Sequence, residues 1–450
     1  MLDIDGKRVV VIGMGASGVA AARLCLSRGA RVRVTDAKDR DKIGAEVLQL
    51  EKEGVELAIG GHAEARLSES DLIVVSPGVP SFWALEEAEN QGIPAIGEVE
   101  LACLALRHAA PVIAVGGTNG KSTTTMLIGA LLEAEGKRVF TGGNLGEPLA
   151  AHADEVFDAI VLEVSSFQME RVSAFHPRVS VLLNITDDHL DRYPSFEAYA
   201  GAKGNAFAKQ TPEDAAVIPV RDEQCLAQAK RGKGRIVTFG PHGDIDVTDD
   251  AVTDRRLGVR WERAAMGLSG GHNALNVAAA IGAARELHLD AATVAKVLAT
   301  FRGLPHRMAK VADVAGVTFY DDSKGTNVGA SVTALLGISE AKAVLIAGGK
   351  DKGGSYEPLA DALRARGRAA VLIGEAAPLI EDALEGAVPV KRATTMEEAV
   401  RIAHGLAEKG DAVLLSPACA SFDMYRDYKH RGDEFVLAVT RLQSERGESK

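Results

Sequence analysis

Val112-Ile113-Ala114-Val115-Gly116-Gly117-Thr118-Asn119-Gly120-Lys121-Ser122-Thr123 is a short apolar run, then a glycine turn, then a Lys-Ser-Thr start to a helical pattern that continues through Glu133. A strand that hands such a turn to a helix is the sequence form of a phosphate cradle. Glycines let backbone N–H groups approach phosphate oxygens, and the helix N-terminus adds partial positive charge. Lys121 has the reach for β- and γ-phosphates, and the Ser122 hydroxyl is placed to ligate Mg²⁺. The general pattern G-x-x-x-x-G-K-[ST] asks for glycine at position 115, where the chain has Val115. A bare Gly-Lys-Ser string is often only a loop; the strand before it and the helix after it favour nucleotide binding.

The same grammar stands near the N-terminus. Strand Arg8–Ile12 runs into Gly13-Met14-Gly15-Ala16-Ser17-Gly18, which opens a helix near Val19–Arg28, and Asp36 ends the next strand 18 residues after Gly18. That is a dinucleotide fingerprint in its proper context, so a nicotinamide-dependent oxidoreductase is the first hypothesis. The physics asks only for a diphosphate at a helix N-terminus and a ribose-like hydroxyl for the acid, and any nucleotide diphosphate satisfies it. The bland alternative is a tight strand-to-helix turn with no ligand.

Length and composition bound the rest. A chain of 450 residues is too long for one core, and about 150 residues per domain gives roughly three. Apolar runs followed by turns predict three α/β units: 1–97, 98–303 and 304–450. The expected fold is Rossmann-like at the N-terminus, a central P-loop ATPase-like domain with a mostly parallel sheet, and a Rossmann-like α/β domain at the C-terminus. A net charge of −11 without a Lys/Arg block argues against a dedicated nucleic-acid or membrane-surface binder. Cys25, Cys103, Cys225 and Cys419 share no metal or disulfide spacing, which fits free thiols in a reducing cytoplasm. Asp3, Asp5, Lys7 and Arg8 break up any signal-peptide pattern, and no apolar run approaches membrane-spanning length.

Further polar clusters sit where strands end. Glu163 closes the apolar strand Ala159–Val164, the place for a Mg²⁺ ligand in a P-loop sheet. Asn184-Ile185-Thr186-Asp187-Asp188-His189-Leu190-Asp191 follows strand Val179–Leu183 with a group of oxygen and nitrogen ligands, though a His in a loop is more often a surface residue. Lys203 and Lys209 read as ordinary helix-surface lysines. Leu304-Pro305-His306-Arg307 offers a guanidinium suited to a bidentate phosphate grip. Asp321-Asp322-Ser323-Lys324-Gly325-Thr326-Asn327 and Ser416-Pro417-Ala418-Cys419-Ala420-Ser421-Phe422-Asp423 each follow a strand. One such loop means little; three at strand ends, where open α/β sheets bind ligands, favour a composite site.

Together these residues resemble the Mur ligase family of ATP-dependent amide ligases, and the resemblance covers nearly the whole chain. Gly117-Thr118-Asn119-Gly120-Lys121-Ser122-Thr123, Glu163-Val164-Ser165-Ser166-Phe167-Gln168, Asp187-Asp188-His189, His272-Asn273-x-x-Asn276 and Leu304-Pro305-His306-Arg307 are similar to its ATP and metal signatures. Gly13-x-Gly15-x-Ser17-Gly18, Ser76-Pro77-Gly78, Asp322-Ser323-Lys324-x-Thr326-Asn327 and Ser416-Pro417-Ala418-Cys419-Ala420-Ser421 resemble the branch that adds D-glutamate. The resemblance implies that Gly15, Ser17, Asp36 and Gly78 hold a UDP moiety. It implies that Lys203 is carbamylated by CO₂ and joins Ser122, Glu163 and His189 around Mg²⁺, with two ions expected. Asn144 and His189 would meet the muramoyl-alanine end, and Asn276, Arg307 and Asp322 would hold ATP. Lys324, Thr326, Lys352, Ser421 and Tyr428 match positions that receive D-glutamate.

The implied reaction adds D-glutamate to UDP-N-acetylmuramoyl-L-alanine in peptidoglycan precursor synthesis. A carboxylate is a poor electrophile, so ATP must first convert it to an acyl phosphate, with Lys121 and Mg²⁺ offsetting the charge that gathers. The catalytic set is then Lys121, His189, Lys203 and Lys324, in a cytoplasmic monomer. Three readings compete. A dehydrogenase leaves the phosphate loop unexplained, and a P-loop ATPase module leaves the Asp-Ser-Lys and Ser-Pro-Ala-Cys loops unexplained. A sister ligase adding L-alanine to UDP-N-acetylmuramate shares the architecture.

Overall fold

The computed structural model describes residues 2–189, 192–268, 270–353 and 355–445. Leu190 and Asp191 of the Asp-Asp-His loop lie outside the described residues. The chain forms two compact units, one comprising Met1–Ile185, Glu197–Met266 and Leu275–Thr300, the other Thr186–Phe196, Gly267–Ala274 and Phe301–Lys450.

The first unit holds two sheets. The smaller is all parallel, in the order Glu56–Ile59, Arg31–Asp36, Arg8–Ile12, Leu72–Val75, Ala95–Gly97. Its central strands are nearly continuous β-branched runs because a parallel sheet is covered on both faces. Val10, Ile12, Ile73 and Val75 pack on one face against Ala65, Leu67, Leu85 and Ala88. In the larger sheet, Val112–Gly116 lies between Ala159–Glu163 and Val179–Leu182, all parallel. The register sets Val115 beside both Glu163 and Val181, so the phosphate loop and Glu163 leave the same end of the sheet.

One edge of this sheet departs from the expected pattern. Ile245–Val247, Ala251–Asp254 and Val259–Glu262 form an antiparallel meander. Trp261 anchors it, 7% exposed, by donating its indole N–H to the Ala291 carbonyl at 3.2 Å.

The junction between the two sheets is polar and buried. Helix Glu98–Ala105 follows strand Ala95–Gly97 without a break, and Gly97 N–H donates to Arg171 O at 2.8 Å. Glu100, 1% exposed, accepts from the backbone N–H groups of Ser173, Ala174 and Phe175 and from the Ser173 hydroxyl. Glu98 accepts from Ala150 N–H at 2.8 Å, and burial pushes its carboxyl up to about 7 against the pull of that hydrogen bond.

The second unit contains the sheet Ala309–Val314, Val317–Asp321, Ala412–Leu415, Ala343–Gly348, Gly367–Ile373, Val390–Arg392, parallel except for its first pair. That pair is a hairpin turning through Ala315 and Gly316, both at positive φ (54° and 80°), as a primed two-residue turn requires. The sheet is covered on both sides: Leu335, Leu359, Leu363 and Ile380 on one, Val400, Phe435, Val439 and Leu442 on the other.

Candidate active site

In the first unit, the glycine turn after Arg8–Ile12 is held open by its neighbours. Gly13 has φ 90°, and a Cβ on Gly18 would fall 1.9 Å from the Gly13 carbonyl, so the helix can start there only on glycine. The Ser76 hydroxyl donates to Gly13 O at 3.0 Å. Helix Ala16–Ser27 has no side-chain cap, which leaves its first N–H groups facing a cavity of about 660 Å³. Gly15, Ser17, Asp36 and Gly78 all line that cavity. Asp36 accepts from Met14 N–H and Lys38 N–H, both at 2.9 Å, so the carboxylate shapes the turn as well as facing the cavity.

The opposite wall was not legible in the sequence. His62 and Phe82 stack at 4.5 Å between centroids and 19° between planes, and His62 Nδ1 lies 3.0 Å from the Thr35 hydroxyl. Burial holds the His62 imidazole below its ordinary value despite Asp36. Neither ring belongs to a spaced motif.

The phosphate loop has Gly117 at φ 142° and Gly120 at φ 84°, and helix Lys121–Ala134 likewise has no side-chain cap. Lys121 Nζ donates to Gly117 O at 2.9 Å and Thr118 O at 2.8 Å. Lys203 Nζ, on a side chain only 5% exposed, donates to the same Gly117 O at 2.9 Å. Lys203 is therefore no surface lysine, as its spacing alone suggested. One turn earlier on the same helix, the buried Tyr199 puts its hydroxyl 3.0 Å from the Thr118 hydroxyl. Asn184, read as part of a ligand cluster, instead accepts from Thr118 N–H and Asn119 N–H and donates to Asn119 O. It braces the loop from the neighbouring strand.

Ser122, Thr123 and Glu163 are buried beside the loop. Glu163 accepts from the Asn144 amide at 2.6 Å, and Asn144 N–H donates to Glu163 O at 2.9 Å. A Cβ on Gly120 would meet the Asn276 side-chain oxygen at 2.3 Å, which places Asn276 against the turn. Thus Gly117 to Thr123, Asn144, Glu163, Lys203 and Asn276 converge in this unit.

The second unit gathers the other predicted residues. Asp188 links two of the expected groups: its carboxylate lies 3.7 Å from His189 Nε2 and 3.6 Å from Lys352 Nζ, and accepts from the Asn327 amide at 3.3 Å. Lys352 Nζ also reaches the Thr326 hydroxyl at 3.5 Å. His189 adopts φ 56°, an uncommon conformation for a non-glycine residue. Lys324 Nζ sits 5.2 Å over the Tyr428 ring, and Ser421 is buried in its loop.

Asp322 is a strongly perturbed group among the predicted residues here. Burial pushes it up to about 7, opposed by the Ser416 hydroxyl bonded to it at 2.7 Å and by the Arg307 charge. Arg431, fully buried and absent from the sequence reading, donates to the Ser323 hydroxyl at 3.1 Å, Ser323 O at 2.7 Å and Cys419 O at 3.2 Å. It ties the Asp-Ser-Lys loop to the Ser-Pro-Ala-Cys loop.

Family models match the chain in three places: the Mur ligase MurD-like N-terminal domain over residues 7–97, the Mur ligase middle domain over 115–284, and the Mur ligase glutamate ligase domain over 306–419. The chain belongs to the Mur ligase family. It is 43% identical over 450 residues to a UDP-N-acetylmuramoylalanine–D-glutamate ligase of Geotalea daltonii, covering 98% of this chain and 99% of the relative. A Mur ligase with the same name from Desulfosudis oleivorans is 42% identical, covering 98% of each chain. The fold matches the MurF ligase of Thermotoga maritima solved in complex with ADP, at TM-score 0.62 and 18% identity, over 99% of this chain and all (100%) of the other. A pseudomurein peptide ligase of Methanothermus fervidus matches at TM-score 0.62 and 20% identity, over 96% of this chain and 100% of that one.

Proposed function

We propose that the chain is an ADP-forming ligase that adds D-glutamate to UDP-N-acetylmuramoyl-L-alanine in peptidoglycan precursor synthesis. The chemistry rests on one observation: two amines, Lys121 and Lys203, meet at the Gly117 carbonyl of an uncapped phosphate loop. The substrates rest on the names of relatives about 40% identical over the full chain. Boundaries at 97/98 and 303/304 are supported by the three matched domains. We place the enzyme in the cytoplasm as a monomer; among the described residues no helix is long and apolar enough to cross a membrane.

In this reading the alanyl carboxylate attacks the γ-phosphorus of ATP, releasing ADP and leaving an acyl phosphate. Lys121 draws charge from the transferring phosphoryl group, while Asn276, Arg307 and Asp322 hold the nucleotide. The amine of D-glutamate then attacks the acyl carbon, phosphate leaves with the bonding pair, and the nitrogen gives up a proton as the amide forms. Lys324 and Lys352, with Thr326, Ser421 and Tyr428, receive the acceptor's carboxylates. Gly15, Ser17, Asp36 and Gly78 hold the UDP end; Asn144 and His189 meet the muramoyl-alanine end.

Mg²⁺, expected as two ions, would offset negative charge between the two reacting anions. Ser122 and Glu163 offer buried oxygens of the right kind, with His189 as a further ligand. Lys203 fits this set only after its neutral amine adds CO₂ and loses a proton, because an ammonium repels a cation where a carbamate supplies an anionic oxygen.

The test is phosphate release from ATP with UDP-N-acetylmuramoyl-L-alanine and each amino acid in turn. D-glutamate supports turnover and L-alanine does not; equal rates with both defeat the specificity claim. Lys324→Ala raises the D-glutamate KM or lowers kcat while UDP-substrate binding stays nearly unchanged.

A further inference from the structure

The smaller sheet of the first unit has a second concavity, at the end of the strands away from its glycine turn. Arg8 and Arg31 are register partners at the starts of adjacent strands, and Arg33 follows two residues later beside Val10 and Glu56. Side chains two apart on a strand share a face, so three arginines crowd one half of one sheet face. The other half of that face, at Val10 and Ile12, is covered by Ala65 and Leu67. These belong to two three-residue 3₁₀ turns, Ala63–Ala65 and Leu67–Glu69, that replace a full crossover helix. The short crossover leaves the arginine half open. Arg66, between the turns and held at φ 51° and ψ 51°, lines the same opening. The result is a cavity of about 400 Å³ bounded by Arg8, Arg31, Arg33 and Arg66, with Glu56 and Glu69 at its edge.

We propose that this cavity is an anion site taking a phosphate chain, separate from both glycine turns. Like charges on neighbouring strands repel, and a sheet of a chain with net charge −11 has no need to collect them unless something offsets them. The protein offsets only part. Arg8 pairs with Asp71 and Arg33 with Glu56, whereas among the described residues Arg31 and Arg66 have no carboxylate partner. Arg33 also donates to Ala65 O at 3.1 Å, which fixes one wall of the opening against the short crossover. Guanidinium groups grip phosphate oxygens in pairs, and a volume of this size suits a small ligand. The ligand class is therefore a diphosphate-like anion, either free or as the tail of a nucleotide.

The experiment is calorimetric titration of the full chain with pyrophosphate, comparing wild type with the double variant Arg31→Ala/Arg66→Ala. Both residues are exposed and outside the catalytic machinery, so ATP-dependent phosphate release by the variant stays within about twofold of wild type, which also reports its folding. Wild type takes up one more equivalent of pyrophosphate than the variant, and that uptake weakens steeply with added salt. Arg31→Lys/Arg66→Lys keeps the charge but loses the planar fork, and weakens the extra binding without abolishing it. Equal stoichiometry and affinity in wild type and the Ala variant overturn the proposal. ADP in place of pyrophosphate tells the sources apart: tighter uptake assigns the site to a nucleotide tail, absent uptake to a free chain. The same uptake with adenosine, which carries no phosphate, overturns the proposal as well.

Discussion

Two strand–glycine turn–helix elements in one unit begin alike and end differently. Both helices, Ala16–Ser27 and Lys121–Ala134, start on glycine without a side-chain cap, so both offer backbone N–H groups to an anion. The first turn is shaped by a carboxylate, Asp36, and walled by His62 stacked on Phe82, its imidazole held below the ordinary value by burial. The second is shaped by an amide, Asn184, and carries two lysine amines on one carbonyl. A glycine turn only makes a cradle. In the proposed reading, what surrounds it decides whether a phosphate is merely held or is transferred, since the second turn is the one with lysine amines gathered on it.

Lys121→Ala is the strongest way to break this contrast. Phosphate release falls by at least about 100-fold, the usual cost of removing one donor from a transition-state charge, while UDP-substrate binding by calorimetry stays the same. Wild-type turnover in that variant would erase the distinction between the turns. Lys203→Ala comes next, with loss of most activity and partial recovery on adding formate or acetate, small acids that supply an oxygen in the vacated volume. Full activity without additive would show that the second amine at Gly117 is dispensable.

Asp36→Ala sharpens the comparison from the other side. It weakens UDP-substrate binding roughly 10-fold, about 1.4 kcal/mol, with the ATP KM unchanged. Asp36→Asn, which keeps an oxygen for Met14 N–H, isolates what the negative charge itself contributes. NADH binding in the wild type that is lost in Asp36→Ala would restore the dehydrogenase reading.

The smallest effect is on stability. Glu98 titrates near 7 when folded and near 4.5 when exposed, so between those values the native state holds a proton that the unfolded state has released. Stability from this group therefore falls as pH rises from about 4.5 to 7 and stays low above. Glu98→Gln keeps an acceptor for Ala150 N–H and removes the charge. Urea unfolding should show it matching wild type near pH 4 and exceeding it by about 1–3 kcal/mol at pH 8. A constant difference across that range refutes the assignment.

The strands that were legible are covered parallel ones, apolar runs with turns behind them: Arg8–Ile12, Ala159–Glu163 and Val179–Leu182 read almost residue for residue. The meander Ile245–Val247, Ala251–Asp254, Val259–Glu262 was not, since its strands are only three or four residues long, too short for a periodic pattern to show. Motifs contiguous in sequence gave the phosphate loop and the third-domain loops. Residues that act across long separations gave no spacing: Tyr199 on Thr118, Asp188 on Lys352, and Arg431 on Ser323. Lys203 was singled out only by resemblance, because a helix lysine becomes special through burial, which spacing does not encode.

Glu100 has a mechanical meaning. Its single carboxylate gathers the amides of three consecutive residues, Ser173 to Phe175, and so fixes the segment just after Arg171, which in turn accepts from Gly97 N–H and pairs with Glu89 across the 97/98 boundary. The place where one family domain gives way to the next is thus a weld rather than a hinge. Amide exchange at Gly97 would report on the two sheets parting, and a chain cut at 97/98 would leave Gly97 to Arg171, Glu89 to Arg171 and Arg28 to Asp154 as the grip between two pieces.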